Sequence, residues 1–151
     1  MSVAEPEGRA TGIRVERAEG ARLRALVTVL GLDQHEAGAL AVSRMLRDAG
    51  MEVIYMGRFN VPETIAEVAI QEDVDVVGVS AHSWEFIHYA PELVKLLEDS
   101  DPPIPLVVGG SLITASDIAE VTQHGVNVVR PGATEEEIVA SFVRLAEHHE
   151  G

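Results

Sequence analysis

From residue 23 onward, short apolar runs rich in valine and isoleucine alternate with stretches in which apolar and polar positions recur at helical spacing. Consecutive apolar positions predict strands buried on both faces, and the amphipathic stretches between them predict the helices that cover those faces. The pattern places strands at Arg24–Leu30, 52–56, 74–80, 106–108 and 126–129, and helices over 37–49, 62–72, 84–98, 115–124 and 134–147. Local punctuation agrees. Pro62 suits a first helical turn with Asn60 nearby as a cap, Gly50 and Gly125 suit helix C-terminal stops, and Thr134 precedes three glutamates that favour a helix N-terminus.

Five repeats of strand then helix predict an α/β fold, a doubly wound five-stranded parallel sheet of flavodoxin-like order 2-1-3-4-5 with helices on both faces. Residues 1–22 lack sustained periodicity and read as an N-terminal tail or partner-docking arm, with one domain over 23–151. In such a sheet ligands lie beyond the carboxyl ends of the strands, near the switch point between the first and third. The residues suited to chemistry gather in those strand-to-helix loops. They are Asp33-x-His35-x-x-Gly38 after the first strand, Gly57-Arg58-Phe59 after the second and Ser80-Ala81-His82-Ser83 after the third. Gly109-Gly110-Ser111 follows the fourth, and Arg130-Pro131-Gly132-Ala133-Thr134 the fifth.

A neutral imidazole is a common transition-metal ligand, and a carboxylate on its other nitrogen fixes the tautomer and raises its basicity. Asp33 and His35 have that spacing, which equally fits a surface histidine beside a helix-capping aspartate. Gly38 costs helix stability relative to alanine and makes sense where something lies against the helix face. Gly109 and Gly110 suit either close backbone approach to a ligand or a simple turn. Ser80 can donate to a ligand at the sheet edge or satisfy itself on backbone. Glycine-rich dinucleotide and phosphate-loop fingerprints, paired carboxylates and a nucleophile elbow are all missing from the sequence. His148 and His149 beside Glu147 and Glu150 read as a solvated terminus.

Composition narrows the function classes. The chain has 151 residues and no apolar run near the ~20 that span a membrane. A net charge of −14, with ten arginines and the single Lys95 scattered, argues against nucleic acid and against anionic membrane surfaces. Excess acid keeps a chain soluble, and an acidic face also suits a basic partner subunit. No secretory signal is visible and there are no cysteines, so a cytoplasmic location is expected.

These motifs, in order and each at a strand end, resemble the cobalamin-binding domain of adenosylcobalamin-dependent mutases and cobalamin-dependent methyltransferases. The resemblance covers about residues 23–145 and rests on Asp33-x-His35-x-x-Gly38, Ser80, Gly109-Gly110 and Pro131-Gly132. The stretches 45–55 and 64–75 look most like the small, cobalamin-binding subunits of acyl-CoA mutases. The resemblance implies that His35 replaces the cofactor's own base as lower axial ligand to cobalt, with Asp33 orienting it and Gln34 beside it. It implies a tail slot beside the first and third strands, with Ser80, Gly109, Gly110, Pro131 and Gly132 against the nucleotide tail and Gly38 leaving room along the helix. The cofactor would be adenosylcobalamin. Its chemistry would be cobalt–carbon homolysis and a radical 1,2-rearrangement of a methylmalonyl-, isobutyryl- or hydroxyisobutyryl-CoA type of thioester. No catalytic residue beyond the cofactor ligand is implied in this chain, so a large, barrel-shaped acyl-CoA-binding subunit is the implied partner, with a GTPase chaperone for cofactor loading.

Two departures stand out. Many mutases have a lysine four residues before the aspartate, where this chain has Val29, so a Lys-Asp-His relay cannot form. The third-strand motif usually reads Ser-x-Leu and here reads Ser80-Ala81-His82, which brings an imidazole to the cofactor site either as a polar contact or as a change in reaction specificity. Trp84 shields the site or starts the next helix. A methyl-transferring corrinoid protein is the alternative, disfavoured because such proteins place a helical cap before this domain. A non-enzymatic cobalamin carrier or sensor is another, and a phosphorylated receiver fits poorly because Ser80 and His82 stand where its aspartate would be.

Overall fold

The computed structural model describes residues 22–30, 36–81, 85–110 and 114–150. In chain order these form β1 (Arg24–Leu30), α1 (Ala37–Asp48), β2 (Glu52–Asn60), α2 (Pro62–Gln71) and β3 (Val76–Ser80). There follow α3 (Glu85–Glu98), β4 (Leu106–Gly109), α4 (Ala115–Gln123), β5 (Asn127–Val128) and α5 (Glu135–Glu150). The strands pair in parallel in the order β2-β1-β3-β4-β5, as the alternating pattern predicts. No helix among the described residues is long and apolar enough to cross a membrane.

The two-residue period of a strand sorts its side chains to opposite faces. Ala25, Val27 and Val29 of β1, Val76 of β3 and Val107 of β4 join Leu46 of α1 and Val139 and Phe142 of α5 in one buried cluster. Leu26, Leu30, Val77, Val79, Leu106 and Val108 join Ile65, Phe86, Leu93 and Val121 from α2, α3 and α4 in the other. Burial on both faces explains why the strands read as continuous apolar runs.

β2 departs from expectation by running to Asn60, so Gly57-Arg58-Phe59 belongs to the strand and not to a loop beyond it. Gly57 takes a φ of +76°, and the β1–β2 register shifts between Val27 and Thr28 and again before Leu30. A bulge of this kind bends a strand without ending its pairing. The buried Thr28 hydroxyl donates to the Gly57 carbonyl at 3.0 Å, and the Asn60 amide donates to Thr28 Oγ1 at 3.1 Å and to the Met56 carbonyl at 3.0 Å. Asn60 is therefore spent on the bulge and does not cap α2, whose N-cap is Val61 with no side-chain bond. β3 starts two residues late because the Asp75 carboxylate accepts from the Arg24 amide at 2.8 Å, tying the strand start to β1. Thr134 behaves as expected. Its Oγ1 accepts from the Glu137 amide at 3.1 Å, while Glu137 Oε1 accepts from the Thr134 amide at 2.8 Å. Gly50 and Gly125 take positive φ of 101° and 88° at the helix ends.

Gly78 sits in the middle of β3 on the α1/α5 side, and a Cβ there would lie 2.5 and 2.6 Å from Cζ and Cε2 of Phe142. The ring fills the space a side chain would take. Gly78→Ala is expected to cost about 1–3 kcal/mol by overpacking, and Phe142→Leu to recover part of that cost in the double variant. Urea unfolding of the four members of the cycle is the check, and strictly additive penalties would contradict this packing.

Candidate functional site

A cavity of about 400 Å³ opens at the carboxyl ends of the strands, between the sheet and the helices α1 and α5. Its floor follows from strand periodicity. Val27, Gly78 and Val107 lie in register across β1, β3 and β4, and the next row toward the edge is Val29, Ser80 and Gly109. Two glycines and a serine leave the floor short of side chains, so the helices cannot close onto it. Gly38, Ala39 and Val42 of α1 form one wall, Ile138 and Phe142 of α5 the other, and the turn from Arg130 to Ala133 the rim. A second hollow of about 290 Å³ lies at the opposite edge, against Pro103, Pro105 and the C-terminal ends of α3 and α5, away from the strand-to-helix loops.

Six residues that sequence reasoning selected, Gly38, Ser80, Gly109, Gly110, Pro131 and Gly132, line this one cavity. Gly110 is required to be glycine, since a Cβ there would overlap the Ala81 carbonyl oxygen and sit 2.7 Å from its carbon. The Ala81 amide donates to the Gly109 carbonyl at 2.8 Å, so the two strand ends are locked together where they form the cavity lip. Gly132 takes a φ of +88° with open space about its α-carbon. Asp33, Gln34, His35, His82 and Trp84 lie outside the described residues. Their chain neighbours Leu30, Glu36 and Ala81 stand at this same edge. Among the described residues no three histidine, aspartate or glutamate side chains cluster to hold a metal ion. Val29 is fully buried, so an apolar side chain occupies the floor position where a lysine would have to bury its ammonium.

Sequence reasoning missed Gly78, Val107 and Phe142 as lining residues, and named Arg130 in the loop after the fifth strand without giving it a role. A glycine inside a strand, two positions before Ser80 and so on the same face, was the available signal for the first. A second omission is the cluster around Glu36, the residue after His35. The Tyr55 hydroxyl donates to Glu36 Oε2, and Arg58 Nε stands 3.6 Å from Glu36 Oε1. Both partners come from β2, so the bulged strand reaches across to hold the start of α1. Burial first, then the hydrogen bond to Glu36 and its negative charge, push the Tyr55 phenol up from 10.0 to about 12, against an opposing pull from Arg58.

Residues 23–140 match the family described as B12 binding domain. The chain belongs to that family. This B12-binding domain is 38% identical over 122 residues to the 2-hydroxyisobutanoyl-CoA mutase small subunit of Aquincola tertiaricarbonis, covering 81% of this chain and 90% of that one. It is 36% identical over 126 residues to the pivalyl-CoA mutase small subunit of Xanthobacter autotrophicus, covering 83% and 84%. A cobalamin-binding protein from Desulfitobacterium hafniense superposes with a TM-score of 0.70 at 17% identity, over 82% of this chain and 59% of that one, and shares the fold.

The residues present fit a B12 tail. The cavity lies within the roughly 300–1,000 Å³ of small-molecule pockets, which is room for a flat base and its ribose, and too little for a corrin ring as well. Its walls are mostly apolar, as an aromatic base requires, with the Ser80 hydroxyl at the edge and glycine backbone exposed for close approach.

Because the folded chain holds the Tyr55 proton more tightly than the unfolded chain does, its contribution to stability is full below about pH 10 and is lost as pH rises toward about 12. The stability advantage of the parent over Tyr55→Phe is expected to stay constant at neutral pH and shrink across that alkaline window. Denaturant unfolding at a series of pH values measures it, and an advantage that stays flat up to about pH 12 would count against the Glu36 bond.

Proposed function

We propose that this B12-binding domain is the small, cofactor-carrying subunit of an adenosylcobalamin-dependent acyl-CoA mutase, acting on a thioester of the methylmalonyl-, isobutyryl- or hydroxyisobutyryl-CoA type. The observation that carries this reading is the tail-sized slot floored by Gly78, Ser80 and Gly109 at the carboxyl ends of the strands, in a chain that two mutase small subunits match over 81% and 83% of its length. His35 would hold the cobalt through a ring nitrogen, leaving the cofactor's own base for the slot. Asp33 would accept the second ring N–H of His35 and fix its tautomer. Gln34 and His82 would contribute to holding the cofactor. Ser80, Gly109, Gly110, Pro131 and Gly132 line the tail, and Gly38 leaves the α1 wall open to it.

The chemistry that bound adenosylcobalamin supplies is a radical 1,2-rearrangement of the acyl carbon skeleton. The chain's own residues hold and orient, and its apolar slot walls exclude water from the buried base. A separate large subunit binds the thioester, a GTPase chaperone loads the cofactor, and the assembly works in the cytoplasm. Residues 1–22 are a tail or an arm that docks on the large subunit.

The visible spectrum of the chain mixed with adenosylcobalamin tests this reading. The parent is expected to retain the cofactor in its base-off form, His35→Ala to lose that form, and Asp33→Asn to weaken uptake about 10- to 100-fold. Affinity capture is expected to recover a large acyl-CoA-binding subunit. Cofactor retained with its own base on cobalt, or no uptake at all, would overturn the reading, and capture of a methyltransferase would replace it with methyl transfer.

A further inference from the structure

Among the described residues that line the slot, Arg130 alone carries a charge. It is exposed at the rim, at the head of a turn closed by the Ala133 amide donating to the Arg130 carbonyl at 3.2 Å, with Gly132 at positive φ inside it. Its guanidinium forms no ion pair among the described residues, whereas other cations of the chain are engaged. Arg58 pairs with Glu36, Arg24 with Glu52 and Lys95 with Asp99. In a chain of net charge −14, an arginine with no ion pair among the described residues, at the rim of an otherwise uncharged slot, is a local exception to a repulsive field.

The neighbouring helix end cannot take an anion in its place. A free helix N-terminus attracts phosphate through its unpaired amides and its dipole. At α5 the Thr134 and Glu137 amides are taken by the reciprocal cap, and Glu135, Glu136 and Glu137 put three carboxylates in the first turn. Negative charge on a ligand at this rim is therefore disfavoured by the first turn of α5, and among the described lining residues Arg130 is the cation that can meet it. A guanidinium presents a planar fork of donors that matches phosphate oxygens.

We propose that Arg130 is a specificity-determining residue, pairing with the phosphodiester of the cofactor's nucleotide tail so that this chain selects corrinoids carrying a complete tail. The proposal rests on the reading of the slot as the tail site. It assigns to a side chain a full positive charge beside the partial charges of the slot's glycine amides.

The experiment compares binding of adenosylcobalamin with that of adenosylcobinamide, the same corrin cut off before the phosphate, by equilibrium dialysis. Arg130→Gln is expected to weaken adenosylcobalamin binding about tenfold and leave adenosylcobinamide binding unchanged, with Arg130→Lys intermediate for the first ligand. Where adenosylcobinamide binds too weakly to measure, salt decides. The parent's affinity for adenosylcobalamin should fall more steeply with ionic strength than the variant's. Unchanged binding of adenosylcobalamin, an equal loss for both ligands, or equal salt slopes would overturn the assignment while leaving the parent's uptake intact. A parent chain that takes up neither ligand would overturn the tail-slot reading and this assignment with it.

Discussion

The approach of two backbones, at Ala81 and Gly110, is the constraint on which the rest of the site depends. No Cβ fits at Gly110 against the Ala81 carbonyl, and the Ala81 amide is bonded to the Gly109 carbonyl. This lock carries the β3–β4 pairing one residue past the end of β3 and holds the cavity lip shut on one side. Beyond Val76, the slot-facing side of the central strand carries only Gly78 and Ser80. The volume that two ordinary side chains would occupy becomes split between the Phe142 ring and an open slot. A close-packed interior leaves few such voids without a use.

The slot is built into a rigid sheet, while the residues proposed to meet cobalt lie on the connection that follows β1. The bulge at Gly57 links the two. It allows β2 to continue past its expected end, and the extra residues carry Arg58 and Asn60 to positions beside the start of α1 and the end of β1. Thr28, buried and polar, is satisfied by this same bulge. Glu36, instead of capping α1, is turned toward Tyr55 and Arg58. A strand irregularity thus fixes the far end of the proposed ligand segment, in keeping with the frequency of bulges next to functional sites.

Strand order and helix placement were legible because the three central strands, β1, β3 and β4, are buried on both faces and read as continuous apolar runs between amphipathic helices. The glycine and serine positions of the slot were legible for a related reason. Small residues at strand ends have few purely structural explanations once several of them share one edge. Residues such as Asn60 and Gly57 misled because their roles are set by a partner strand far away in sequence, and local punctuation carries no trace of that. Phe142 was hidden in an amphipathic helix whose pattern marks it as core without saying that it fills the gap over Gly78. Arg130 was legible as part of the loop after the fifth strand, but its place as the one charged lining residue among the described residues is visible only in the folded arrangement.

Val29 bears on how the proposed cobalt ligand is tuned. It is fully buried and in register with Ser80, and no ammonium can be accommodated there without a large desolvation cost. In a lysine–aspartate–histidine relay the ammonium would share the charge of the carboxylate and lower its pull on the imidazole proton. With valine in that place the proposed Asp33–His35 pair would have no lysine to share the carboxylate's charge, and a stronger acceptor on the far nitrogen of an imidazole makes it a better donor to a metal. The valine therefore takes a member out of the relay without arguing against the proposed ligand. Glu36, the residue that follows His35 in sequence, is held by Tyr55 and Arg58.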